Sequence, residues 1–196
     1  MEATPTPAVS TVAPADVERA VAVIVLAFSA DPVARWAYPD PRHTSRFSRP
    51  SYAHLAAGFS LRALRATSTA MRGQRSGASL PEAQTAEFAA VFEERARHHP
   101  SEAHWYLPMI GVDPTHQRKG CGAALLRETL RQCDRDHLPA YLESSNPANI
   151  NLYQRHGFEV RGTIRVGSSP PSFRCCAQPA ERATLARSLR VLRSSP

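Results

Sequence analysis

The chain has 196 residues, 42% of them hydrophobic, which suits one full-sized domain with a sizeable core rather than two. A charged fraction of 21% excludes a wholly disordered chain. Lys and Arg total 24 against 17 Asp and Glu, a net charge of +7 that suits an anionic ligand without choosing between nucleic acid and a phosphorylated cofactor.

Residues 1–8 carry two prolines and polar spacers and read as a loose tail. Val9–Val12 has the composition of a short strand. Pro14 opens a helix, with Asp16 and Glu18 suited to its positive end. Val17, Val21, Ile24 and Phe28 follow at helical spacing, and Asp31-Pro32 ends the element. Tyr38–Pro50 reads as loop and Ser51–Leu64 as a second helix with Leu55 and Phe59 inward. Residues 65–80 hold Arg65, Arg72 and Arg75, no acid and no clear period, so no strand is expected there. Pro81 starts a helix to about His98, with Phe88, Val91, Phe92 and Arg95 along one side. Pro100 closes it.

The strongest strand signal is Ala103–Val112, although Pro108 cannot donate to a ladder and marks a bulge or an interruption of pairing. Ala123–Asp136 reads as a helix with Leu126, Leu130 and Cys133 on one face. Ala140–Glu143 is a further strand, Ala148–His156 a short helix and Phe158–Val166 a third strand. This order predicts an α/β fold. Pro170–Cys176 looks short and irregular. Glu181–Pro196 is Arg- and Ser-rich and reads as a frayed helix or a tail.

No uninterrupted apolar run approaches the roughly 18–20 residues of a membrane helix. Met1–Val12 has an early acid and no basic stretch, unlike a signal peptide. Cys121, Cys133, Cys175 and Cys176 form no CxxC pair. Neither a disulfide framework nor a zinc site is expected, and a reducing cytoplasm is the default location.

The chemistry concentrates in Val112-Asp113-Pro114-Thr115-His116-Gln117-Arg118-Lys119-Gly120-Cys121-Gly122, directly before a helix. A strand ends there, two glycines free the backbone, and the helix start offers unpaired N–H groups. Such a turn binds phosphate, with Arg118 and Lys119, the only Lys, beside it. It is neither a Walker loop nor GxGxxG. A plain Gly-containing turn with a solvated basic pair is the structural alternative.

Gln117–Gly122 resembles the Q/R-x-x-G-x-G/A pyrophosphate signature of the GNAT superfamily, the acyl-CoA-dependent N-acyltransferases. Asn146-Pro147-Ala148-Asn149, leading to Leu152-Tyr153-Gln154-Arg155-His156-Gly157-Phe158, resembles its second cofactor motif. The two lie one helix and one strand apart, as in the family. The resemblance implies a single domain over residues 9–176, with a mixed central sheet flanked by helices and with tails at 1–8 and 177–196. It implies that the strand before the signature splays from its neighbour, so that backbone groups of Ile110 and Val112 meet the pantetheine arm of acetyl-CoA. Backbone N–H groups of Arg118, Lys119, Gly120, Cys121 and Gly122 would hold the pyrophosphate, with Gln117 opening the turn and Asn149 near the thioester. Tyr153 matches the position that protonates the departing thiolate.

A primary amine, small-molecule or peptide, is the implied acceptor, with neither membrane nor metal involved. A protonated amine needs a base or a water chain; Glu143 is the first candidate and His104 and Tyr106, on one strand face, are weaker ones. Each has a plain alternative: Tyr153 packing on Phe158, Glu143 as a structural carboxylate, His104 as a satisfied strand-start residue. His43, His98 and His99 read as surface residues, and Cys121 as a small side chain in the turn. The strands before the signature and at the C-terminus look degenerate, since residues 60–80 and the stretch after Arg165 are rich in Arg and Ser. A displaced reading frame is one explanation. A catalytically impaired acyl-CoA-binding module is the rival function; nucleic-acid binding rests on charge alone.

Overall fold

The computed structural model describes residues 7–39, 64–66 and 82–180. The 3-10 turn Pro14–Asp16 leads into α1 (Val17–Phe28), followed by α2 (Pro32–Ala37). Val9–Val12 is not a strand. Asp31-Pro32 does not end α1 but starts α2: the Asp31 carboxylate accepts from the N–H groups of Val33 (3.0 Å) and Ala34 (3.1 Å), a side-chain cap on a helix with Pro at its first position. The expected helix over Ser51–Leu64 lies outside the described residues, except that Leu64 opens a strand; the expectations for His43 and for Glu181–Pro196 lie outside them too.

β1 (Leu64–Ala66) overturns the expectation of no strand in 60–80. It is three residues long and gains its place from pairing with β2 (His104–Tyr106), Leu64 opposite Tyr106. Between them runs α3 (Glu82–His98), as the Pro81 and Pro100 boundaries suggest. Then come α4 (Cys121–Arg135), β3 (Ala140–Ser144), α5 (Ile150–Arg155), β4 (Phe158–Ile164) and β5 (Ser172–Ala177). The sheet order is β1-β2-β3-β5-β4, with β2 and β3 parallel and the other neighbours antiparallel. The chain is thus a mixed α/β domain.

β5 corrects the reading of Pro170–Cys176 as irregular. It lies between β3 and β4, with Ala140–Ser144 paired to Ala177–Phe173 on one side and Phe158–Ile164 on the other, where β4 bulges between Val160 and Gly162. Its small residues suit that place, since Ser172, Cys175 and Ala177 are all buried.

The sheet has two different faces, as the period of two requires. On one, Leu107, Ala140, Leu142, Phe158, Cys175 and Ala177 pack with Leu126 and Cys133 of α4 and Tyr153 of α5. Leu126 is fully buried. On the other, Tyr106 and Tyr141 stack with ring centroids 6.0 Å apart, joined by His104 and by His99 just beyond α3. The first face is an apolar core; the second is aromatic and polar.

Candidate active site

β2 is shorter than the expected Ala103–Val112. Trp105 N–H donates to Pro139 O (2.8 Å) and Leu107 N–H to Tyr141 O (2.9 Å), and there the parallel ladder ends while β3 runs on to Ser144. Past Leu107 the chain leaves the sheet, with Ile110 packed on the apolar core and Gly111 against α1. A Cβ on Gly111 would lie 2.8 Å from Ile24 Cδ1 and 2.9 Å from Ala27 Cβ, so only glycine permits this approach. Pro108 lies directly after the last ladder bond, at the interruption of pairing that its sequence suggests.

The turn that follows is built by its own side chains. Asp113 Oδ1 accepts from Thr115 N–H (2.8 Å) and Thr115 Oγ1 (2.6 Å), and these bonds lower the Asp113 pKa. Gln117 Nε2 donates to Val112 O (3.2 Å), so that carbonyl is already engaged. Lys119 Nζ donates to Thr115 O (2.9 Å). Arg118 has φ 60° and Gly120 φ 82°, which turn the backbone into α4. Ala124 N–H makes the first helical bond, to Gly120 O (2.9 Å), leaving the N–H groups of Cys121, Gly122 and Ala123 at the open helix end. A Cβ on Gly120 would meet nothing within 4 Å, so the turn is open around that residue. Gly122 is packed instead: its Cβ would sit 3.4 Å from Leu152 Cδ2 and 3.7 Å from Val112 Cγ2.

Past β3, Asn146 Oδ1 accepts from Ala148 N–H (3.0 Å) and forms the 3-10 turn Pro147–Asn149. Asn149 is exposed and its side chain makes no capping bond. Tyr153 is buried and packs edge-on against Phe158, with centroids 5.9 Å apart. Burial, with the Cys175 thiol and Asp31 carboxylate adding and the Ser144 hydroxyl opposing, pushes its pKa up to about 12. Asp31 also accepts from Ser145 Oγ, tying the α1–α2 corner to the end of β3.

On the opposite face, Tyr106 Oη donates to Glu143 Oε2 (2.9 Å). Burial and the Glu143 carboxylate hold the Tyr106 phenol well above its ordinary range, so it stays a donor. His104 is fully buried, its Nδ1 donating to Glu102 O (2.7 Å). His99, expected at the surface, is 8% exposed and packs on His104, Tyr106 and Tyr141. Its position one residue past a helix end gives no periodic signal from which burial could be read. His98 is on the surface as expected, bonded to Glu94. Tyr153 and Glu143 do not meet; they flank the end of β3 from opposite faces, joined only through that strand.

Residues 79–158 match the family model described as Acetyltransferase (GNAT) family. Over this segment the chain is similar to the GNAT acetyltransferases. An uncharacterized N-acetyltransferase of Schizosaccharomyces pombe is 37% identical over 76 residues, 39% of this chain and 29% of that protein. N-alpha-acetyltransferase 50 of Danio rerio is 26% identical over 100 residues, 49% of this chain and 56% of that protein. The chain thus matches just over half the length of one curated relative and under a third of the other. Among solved structures, the histone acetyltransferase HPA2 and related acetyltransferase from Corynebacterium glutamicum aligns over 90% of this chain and 98% of its own. Its TM-score is 0.62 at 23% identity. Arylalkylamine N-acetyltransferase 2 from Aedes aegypti aligns over 86% and 97%, with TM-score 0.56 and 11% identity. These likenesses establish the GNAT fold. No helix among the described residues is long and apolar enough to cross a membrane.

Proposed function

We propose that the chain is an N-acyltransferase that moves an acetyl or other short acyl group from acyl-CoA to a primary amine by direct attack on the thioester. One observation carries this reading: β3 runs on to Ser144 after its ladder with β2 has ended at Leu107, and α4 begins with open N–H groups behind a glycine with free space around it. An extended arm with an anionic end fits an unpaired strand edge that leads to a helix N-terminus.

In this reading the backbone N–H groups of Arg118, Lys119, Gly120, Cys121 and Gly122 hold the pyrophosphate, with the Arg118 side chain beside them. Gln117 and Lys119 stiffen the turn through their bonds to Val112 O and Thr115 O. Backbone groups of Ile110 and the N–H of Val112 line the arm, and Asn149 offers its free amide near the thioester. The thioester supplies the acyl group. Tyr153, held protonated at neutral pH, donates to the leaving sulfur from one face. From the other, Glu143 takes the proton of the amine while Tyr106 fixes the carboxylate orientation. The acyltransferase domain spans residues 9–176, extended by Ala177 at the end of β5. Acetyl-CoA as donor, a small-molecule or peptide amine as acceptor and a cytoplasmic location belong to the same proposal. Thiol release from acetyl-CoA with a panel of amines tests it: amine-dependent release supports it, and binding without release under every amine leaves a binding module in its place.

A further inference from the structure

The groups that face the phenol of Tyr153 pull in opposite directions. The Cys175 thiol of β5 and the Asp31 carboxylate at the α1–α2 corner favour the neutral phenol, as burial does; the Ser144 hydroxyl, hydrogen-bonded to it, favours the phenolate. Ser144 is the last residue of β3 and is 4% exposed. By the period of two it shares a face with Leu142, the face on which Leu142 and Tyr153 pack in one core. Its place is fixed from several sides. Its backbone is in register with Phe173 of β5, and Ser145 beside it donates to Asp31. Its Oγ donates to Asn146 O (3.0 Å), at the start of the turn that leads into α5 and Tyr153. A carbonyl only accepts, and a hydroxyl has one proton to give. Toward Tyr153, Ser144 Oγ is therefore the acceptor at rest, and the phenol donates to it.

We propose that Ser144 is a positioning residue for the leaving-group step, accepting from the Tyr153 phenol at rest and donating to the phenolate once the thiolate has taken its proton. The proposal rests on the acyltransferase reading above. As the acyl C–S bond breaks, its electron pair goes to sulfur; the Tyr153 O–H bond breaks and the S–H bond of CoA forms. The phenolate left behind is buried and lies near a carboxylate, which makes it the costly species of this step. The Ser144 hydroxyl turns from Asn146 O to the phenolate oxygen with its own O–H bond intact. One neutral hydrogen bond is thereby exchanged for a charge-assisted one, roughly twice as strong. Solvent then returns to Tyr153 the proton that the acceptor amine has released, and Ser144 turns back to Asn146 O.

Ser144→Ala removes the hydroxyl and nothing else. Amine-dependent kcat should fall about tenfold with the acetyl-CoA KM within about twofold. The same change made in Tyr153→Phe, where no phenolate forms, should alter the residual rate by less than about twofold. An unchanged kcat in the parent background, or an equal loss in both backgrounds, overturns the proposal. Ser144→Cys keeps the size of the side chain but offers only a weak donor, so it should show the same background-dependent loss even where the alanine variant fails to fold; a full rate in it overturns the proposal. A further readout needs no turnover. With fluorotyrosine in place of Tyr153, whose phenol ionises at lower pH than that of tyrosine, 19F spectra follow the ionisation directly. Ser144→Ala should raise that midpoint by about one pH unit, and an unmoved midpoint overturns the proposal even in an active enzyme. Failure of the parent to release thiol while the midpoint still moves counts against the acyltransferase reading and not against the pairing of Ser144 with Tyr153.

Discussion

Gly120→Ala separates the role of the turn in binding from its role in folding. Gly120 has φ 82°, a conformation that costs an L-residue about 1–2 kcal/mol. Loss of glycine's freedom in the unfolded chain returns roughly 0.4–1 kcal/mol. The added methyl meets nothing within 4 Å, so no packing cost follows. The net destabilisation is therefore about 1 kcal/mol, or roughly 2–4 °C in Tm for a domain of this size. Gly157 is a built-in control, because it has φ 85° and a methyl added there likewise meets nothing within 4 Å. The two variants should melt alike. They should differ in calorimetry with acetyl-CoA: Gly120 lies in the turn proposed to hold the pyrophosphate, where its φ of 82° sets the backbone, and affinity should drop at least about tenfold, a loss of 1.4 kcal/mol. Gly157→Ala should bind within about twofold of the parent. Full affinity in Gly120→Ala, or equal losses in both variants, would refute the assignment of this turn as the pyrophosphate cradle.

Tyr153→Phe keeps the edge-on contact with Phe158 and removes the hydroxyl; turnover should fall on the order of 100-fold with little change in acetyl-CoA affinity, and equal turnover removes Tyr153 from the acid role. The depressed His99 pKa gives a signed pH effect. The unfolded imidazole titrates near 6.5 and the folded one at about 4, so this contribution is complete above pH 6.5 and is lost as pH falls toward 4. Chemical denaturation between those values should show a loss on the order of 2–3 kcal/mol that His99→Phe abolishes, and the same slope in both proteins contradicts the assignment. Burial pushes the thiols of Cys133 and Cys175 up to about 12 and about 11, so both should resist alkylation in the native protein. Mass spectrometry should find Cys121 labelled before them and protected by acetyl-CoA; protection of Cys176 instead would place the ligand elsewhere. Leu126→Ala empties a fully buried site in the apolar face and should cost about 2–5 kcal/mol, read from the denaturation midpoint.

The sequence is most legible where a local pattern and the tertiary environment agree. Leu126, Leu130 and Cys133 repeat at helical spacing, and α4 buries that face. The turn before it shows its glycines and charges openly. β5 is hidden because Pro170-Pro171 and the run Ser172-Phe173-Arg174-Cys175-Cys176 lack strand alternation. Pairing on both edges makes it a strand regardless of propensity. β1 is hidden for a related reason: three residues are too few to carry a period. β2 is overread for the opposite reason. The apolar run after Leu107 is hydrophobic because Ile110 packs on the core and Gly111 lies against α1, not because it continues the sheet. Glu143 and Tyr106 stand out as candidates, but their bond across two strands needs the register. Tyr153 combines both of its alternatives, packing on Phe158 while keeping a phenol that stays protonated.

Calorimetric titration of acetyl-CoA into the folded 196-residue chain tests the central claim most directly. One site per chain with micromolar affinity, weakened at least about tenfold by Gly120→Ala and not by Gly157→Ala, is the expected result. A well-folded chain that takes up no acetyl-CoA would contradict it.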